Sequence, residues 1–76
     1  MRPRDHGLGR AEFATNLRAR RLAAKLTQEE LGDRADVHPT EISRLERRRR
    51  EPRLSMIVRL GRALDIPPAE LLDRIR

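Results

Sequence analysis

Thr40, Arg44 and Arg47 stand at four- and three-residue spacings with Ser43 beside Arg44, and Arg48, Arg49 and Arg50 come directly after. Side chains at those spacings share one side of a helix. Hydroxyls and guanidiniums gathered there can hydrogen-bond base edges and clamp phosphates. Arginine's planar fork suits bidentate contact with guanine or phosphate, which lysine's point charge does not match. Arg44 is the first candidate for pairing with a guanine. Arg47, Arg48, Arg49 and Arg50 are candidates for phosphate contact. A charge run is also, more simply, a solvated face that offsets a helix macrodipole. His38 and Pro39 stand at the start of the same segment. Pro39 fits the first helical position, where a missing amide proton costs nothing, and His38 can cap the helix or donate to a base or phosphate.

Such groups need a frame that aims them. Ile42 and Leu45 mark the buried side of the segment, so at about 100° per residue Thr40, Arg44 and Arg47 fall nearly opposite, with Ser43 on the flank. Glu46 points inward, and a buried carboxylate needs a partner. Arg21, on an earlier helical stretch, is the candidate. Upstream, Thr27 and Glu30 have the spacing of a capping box that opens a short helix through Ala35. Gln28 is the first residue after that cap, where free amides of a helix N-terminus can hold a phosphate. Asp36 and Val37 form the turn between the two helices. Helices this short bury little alone, so Thr27 to Glu46 reads as a brace helix, a turn and a groove-entering helix.

The remaining pattern is helical as well. Arg10 to about Lys25 carries Phe13, Leu17 and Leu22 on or near one face. A helix with Leu54, Ile57, Val58, Leu60 and Leu64 follows a basic loop containing Pro52. Pro67 and Pro68 open a fifth, with Leu71, Leu72 and Ile75. No strand pattern occurs, so the fold class is all-α, a five-helix orthogonal bundle over residues 10–76. Residues 1–9 carry Pro3, Gly7 and Gly9 and read as a flexible basic tail, either an arm along DNA or an unstructured leader.

Composition narrows the partner. The chain has 76 residues, 18 Lys and Arg against 12 Asp and Glu, and a net charge of +6. That balance favours a polyanion, nucleic acid before anionic membrane. Lys25 is the single lysine, a bias that GC-rich coding also produces. Phe13 is the single Phe, Tyr or Trp, so the stacking platforms that hold single strands or RNA are missing and duplex DNA is favoured. There is no cysteine, which excludes disulfides and thiolate metal sites. No apolar run is long enough to span a membrane, and the N-terminus lacks the apolar stretch of a secretory signal. A cytoplasmic, nucleoid-associated setting is expected, with no cofactor and no metal. Asp33 and Asp36 with Glu29 and Glu30 are carboxylates of the kind that solvate and cap helices. No nucleophile–base or paired-carboxylate arrangement suggests an enzyme.

Three segments together resemble the lambda-repressor-like, or Cro/XRE, helix-turn-helix family: L-T-Q-E-E-L at Leu26 to Leu31, I-S-R-L-E at Ile42 to Glu46, and R-L-G-R-A-L-D-I-P at Arg59 to Pro67. The resemblance covers about residues 13 to 75. It implies a homodimeric regulator of transcription bound to palindromic duplex DNA. It carries phosphate contact onto Gln28 and Arg47, base contact onto Pro39, Thr40 and Arg44, and a buried ion pair onto Arg21 and Glu46. The family often has glycine where this chain has Lys25, Asp36 and Arg48, positions at which a left-handed backbone would cost a side chain about 1 kcal/mol. The dimer interface is expected at Leu71, Leu72 and Ile75. Three alternatives stay open: an antitoxin that binds operator and toxin, a restriction–modification controller, and a protein-interaction module that binds DNA weakly.

Overall fold

The computed structural model describes residues 9–73, which form four α-helices and one 3-10 turn: α1 (Arg10–Ala23), α2 (Gln28–Ala35), α3 (Pro39–Glu46), α4 (Leu54–Leu64) and the turn Pro68–Leu72. The expected fifth helix is therefore a short 3-10 segment among the described residues. The segment spans only five residues, a length at which 3-10 geometry is common. Its Leu71 is fully buried.

The core is built from the inner faces of all five elements. Phe13, Leu17, Leu31, Ile42, Leu45, Leu60 and Leu71 are the large side chains with almost no exposure. α1 packs on α3 and on the 3-10 turn, while α2 packs on α3 and α4. Leu22 departs from expectation. Four residues after Leu17 the chain has Arg21, which takes the inner position, and Leu22 is left 52% exposed. Leu54, at the start of α4, is likewise 75% exposed. Asn16 anchors the 3-10 turn to α1, donating from Nδ2 to the carbonyls of Leu71 (3.0 Å) and Asp73 (2.8 Å). Arg20 and Glu70 add an ion pair at 2.7 Å across the same seam.

Each α-helix ends on a left-handed residue, and none of these is glycine: Lys25 (φ 59°), Asp36 (φ 57°), Arg48 (φ 64°) and Asp65 (φ 58°). The bonds are those of a Schellman ending. After α1, Leu26 N–H donates to Arg21 O and Lys25 N–H to Leu22 O. After α4, Ile66 N–H donates to Gly61 O and Asp65 N–H to Arg62 O. The residue following the left-handed one is apolar and turned inward at Leu26, Val37 and Ile66. That burial offsets the strain. After α3 the corresponding residue is Arg49, which is exposed.

Candidate nucleic-acid interface

The helix-turn-helix is set by contacts at its joints. α2 opens with the full capping box: Glu30 N–H donates to Thr27 Oγ1 at 3.0 Å, and Thr27 N–H donates to Glu30 Oε1 at 2.8 Å. In the turn, Val37 N–H donates to Gly32 O at 2.9 Å. A Cβ on Gly32 would lie 2.5 Å from the Val37 carbonyl oxygen, so only glycine lets the chain fold back this closely. Arg59 of α4 holds the turn from behind, donating to Asp36 O at 3.2 Å.

α3 begins as its sequence implies. Pro39 is at the first helical position, and His38 Nδ1 accepts from Thr40 N–H at 3.0 Å. With Nδ1 accepting, the neutral ring keeps its proton on Nε2, which is left as a donor. Ile42 and Leu45 are buried. Thr40, Arg44 and Arg47 are exposed on the opposite side, and Pro39 and Ser43 are half-buried. His38 is exposed at the helix start, and Arg48, Arg49 and Arg50 are exposed beyond its end. Thr40, Arg44 and Arg47 thus share the outward face of α3, with His38 at its start and Arg48, Arg49 and Arg50 beyond its end.

Beneath that surface lies a buried polar network. Arg21, 8% exposed, donates from Nε to Glu46 Oε2 at 2.7 Å and from Nη2 to Oε1 at 3.0 Å. Its Nη1 donates to Leu26 O at 2.9 Å. The hydrogen bonds that Arg21 donates to Glu46 raise the Arg21 pKa above its ordinary value; burial opposes the shift and the carboxylate's charge adds to it. Gln28 completes the set, donating from Nε2 to Glu46 Oε1 at 3.1 Å. One carboxylate on α3 therefore joins α1 and α2.

Two expectations change. Gln28's side-chain amide is engaged with Glu46, so only its remaining donor and the backbone amides of the α2 N-terminus are left for an anion. Leu71 is fully buried within its own chain and has no surface to offer a partner; Leu72 is 37% exposed, and Ile75, like tail residues 1–8, lies outside the described residues. Sequence reasoning also missed Glu41, whose carboxylate faces Arg50 at 3.3 Å and Arg44 at 4.0 Å. Its i,i+3 spacing to Arg44 was the available signal. Among the described residues no cluster of His, Asp or Glu could hold a metal ion, and no helix is long and apolar enough to cross a membrane.

An exposed polar face on the second helix of a helix-turn-helix, locked from below, is suited to insertion in a DNA groove. Comparisons with known proteins agree. Residues 17–71 match the helix-turn-helix family. The chain is 41% identical over 64 residues to an uncharacterized HTH-type transcriptional regulator, y4dL, of Sinorhizobium fredii, covering 79% of this chain and 33% of that protein. It thus spans about a third of that relative's length. It is 37% identical over 62 residues to control protein C.BamHI of Bacillus amyloliquefaciens, covering 80% of this chain and 76% of the relative. The crystal structure of the restriction-modification controller protein C.AhdI from Aeromonas hydrophila superposes with a TM-score of 0.79 at 35% identity, covering 82% of this chain and 94% of that one. The chain belongs to the Cro/XRE-type helix-turn-helix family of DNA-binding transcriptional regulators.

Proposed function

We propose that the protein reads a palindromic duplex operator as a homodimer, with α3 of each copy in the major groove. His38, Pro39, Thr40, Ser43 and Arg44 meet base edges. The amides at the Gln28 end of α2 and at least two of Arg47, Arg48, Arg49 and Arg50 meet phosphates. The observation that carries this reading is the exposed Thr40–Arg44–Arg47 stripe, seated on the Arg21–Glu46–Gln28 network. Pro39 offers no donor, so direct base contacts are few and DNA shape supplies part of the discrimination.

Dimerisation follows from reach. One short helix covers a few base pairs, and a second half-site about 34 Å away supplies the missing specificity. Leu72 is the described residue of the expected interface with surface left to bury, and exposed Leu54 on α4 is a further apolar group available to it. A binding-site selection from random duplex DNA tests the proposal. It is expected to return paired, inverted half-sites, with sedimentation showing a dimer at tens of micromolar. Unpaired half-sites with a monomer would remove the dimer, and no enriched sequence would remove operator reading.

A restriction–modification controller is the form of this function that the comparisons favour. The chain and C.AhdI correspond over nearly the whole of C.AhdI, and C.BamHI is a second control protein matched over most of its length. Selected sites lying upstream of restriction and modification genes would support that role, and sites beside a toxin gene would redirect it to an antitoxin. The setting proposed is the cytoplasm, at the nucleoid.

A further inference from the structure

Glu41 is an acid placed among arginines that are exposed on and beyond α3. A carboxylate there repels phosphates, so its presence on a DNA-facing surface needs a reason. Two guanidiniums converge on it: Arg50 Nε lies 3.3 Å from Oε2, and Arg44 Nη1 lies 4.0 Å from Oε1. The Glu41 side chain is 21% exposed, against 50% for Arg44 and 45% for Arg50. The acid is therefore the less exposed member of both pairs. It also borders a cavity of about 300 Å³ lined by Leu45, Arg50, Pro52 and Arg53, which places it at the junction of α3 with the basic loop.

We propose that Glu41 is a specificity-determining residue that acts by positioning Arg44 and Arg50; the inference rests on the duplex-DNA reading above. Sequence-independent binding comes from neutralising phosphates. A guanidinium already held by a carboxylate gains less from the nearest phosphate, so the pair with Glu41 weakens that mode. Guanine readout is not penalised in the same way. A guanidinium has five N–H donors in a fixed fork, so Arg44 can keep its edge toward Glu41 while offering another to a guanine. Glu41 thereby suppresses contact with any DNA more than contact with the right DNA.

The test compares wild type, Glu41→Gln, Arg50→Gln and the double variant, on a selected operator duplex and a random duplex, by fluorescence anisotropy over a salt series. Glu41→Gln keeps shape and removes charge. If it releases one guanidinium to a phosphate, random-duplex binding steepens by about 0.9 in the log–log salt slope and tightens about tenfold near 0.1 M salt. Operator affinity rises less, so the specificity ratio falls. In the Glu41→Gln background Arg50→Gln makes the slope shallower by about 0.9, a larger change than it makes in the wild-type background. Arg50 is exposed, so its replacement does not put folding at stake. An unchanged ratio and slope in Glu41→Gln would overturn the proposal. So would a full-sized slope change from Arg50→Gln alone, or lost operator affinity with random binding intact, which would make Glu41 itself a base contact. Wild type that prefers no duplex sequence removes the underlying reading and this inference with it, and that result appears before any variant is compared.

Discussion

Glu46→Ala is expected to cost more stability than any surface change near it. The substitution removes the acceptor of three hydrogen bonds, from Arg21 Nε (2.7 Å), Arg21 Nη2 (3.0 Å) and Gln28 Nε2 (3.1 Å). Arg21 is then a cation, 8% exposed, with only the Leu26 carbonyl left as its partner. Breaking a buried pair from one side typically costs about 3–5 kcal/mol, because an uncompensated charge remains. A domain of this length has roughly 4–11 kcal/mol in total. The loss is therefore a large share of the whole, and at about 4–8 °C per kcal/mol it lowers Tm by at least 10 °C. Thermal melts by circular dichroism, with urea titrations, measure it directly. Replacing both partners, as Arg21→Met with Glu46→Leu, removes the stranded charge and is expected to recover most of the loss. A native-like Tm for Glu46→Ala would refute the reasoning, and so would a double variant no more stable than the single.

Other perturbations test other joints. Lys25→Gly relieves a left-handed residue, worth about 1–2 kcal/mol, against a glycine entropy cost of about 0.4–1 kcal/mol; a Tm rise of a few degrees is expected, and a fall would contradict the strain. Gly32→Ala drives a Cβ to within 2.5 Å of the Val37 carbonyl oxygen, so urea titration should show a loss of about 1–3 kcal/mol. Arg47→Ala leaves the fold intact and is expected to make the salt slope of duplex binding shallower by about 0.9; an unchanged slope would take Arg47 out of the phosphate contacts.

Periodicity and caps make much of this architecture legible in the sequence. Thr27 with Glu30 and His38 with Pro39 are local signals, since each cap is made within three residues of the chain. The outward stripe of α3 followed from Ile42 and Leu45, because a helix with two apolar anchors has only one way to face. Arg21–Glu46 was legible from the inward direction of Glu46 and from the family resemblance. Its third member was not: Gln28 reaches Glu46 from α2, and only the packing of α2 on α3 brings them together. Leu71 was misplaced because the sequence does not say on which side of a short segment the core lies, and the Asn16 clamp settles that through space. Leu22 was misassigned because an arginine had taken the inner position a leucine would normally fill. Lys25 and Arg48 show the limit from the other side: the left-handed backbone persists without glycine, held by the hydrogen bonds of its Schellman ending.

If α3 reads bases through its exposed stripe, Arg44 is the residue that dominates the readout. The most direct measurement is a binding-site selection run in parallel on wild type and Arg44→Ala, with melts confirming that both fold. The variant is expected to lose preference at one base pair of each half-site, by about 1–3 kcal/mol of discrimination, while the rest of the site is retained. The same preferences at every position in both proteins would contradict it.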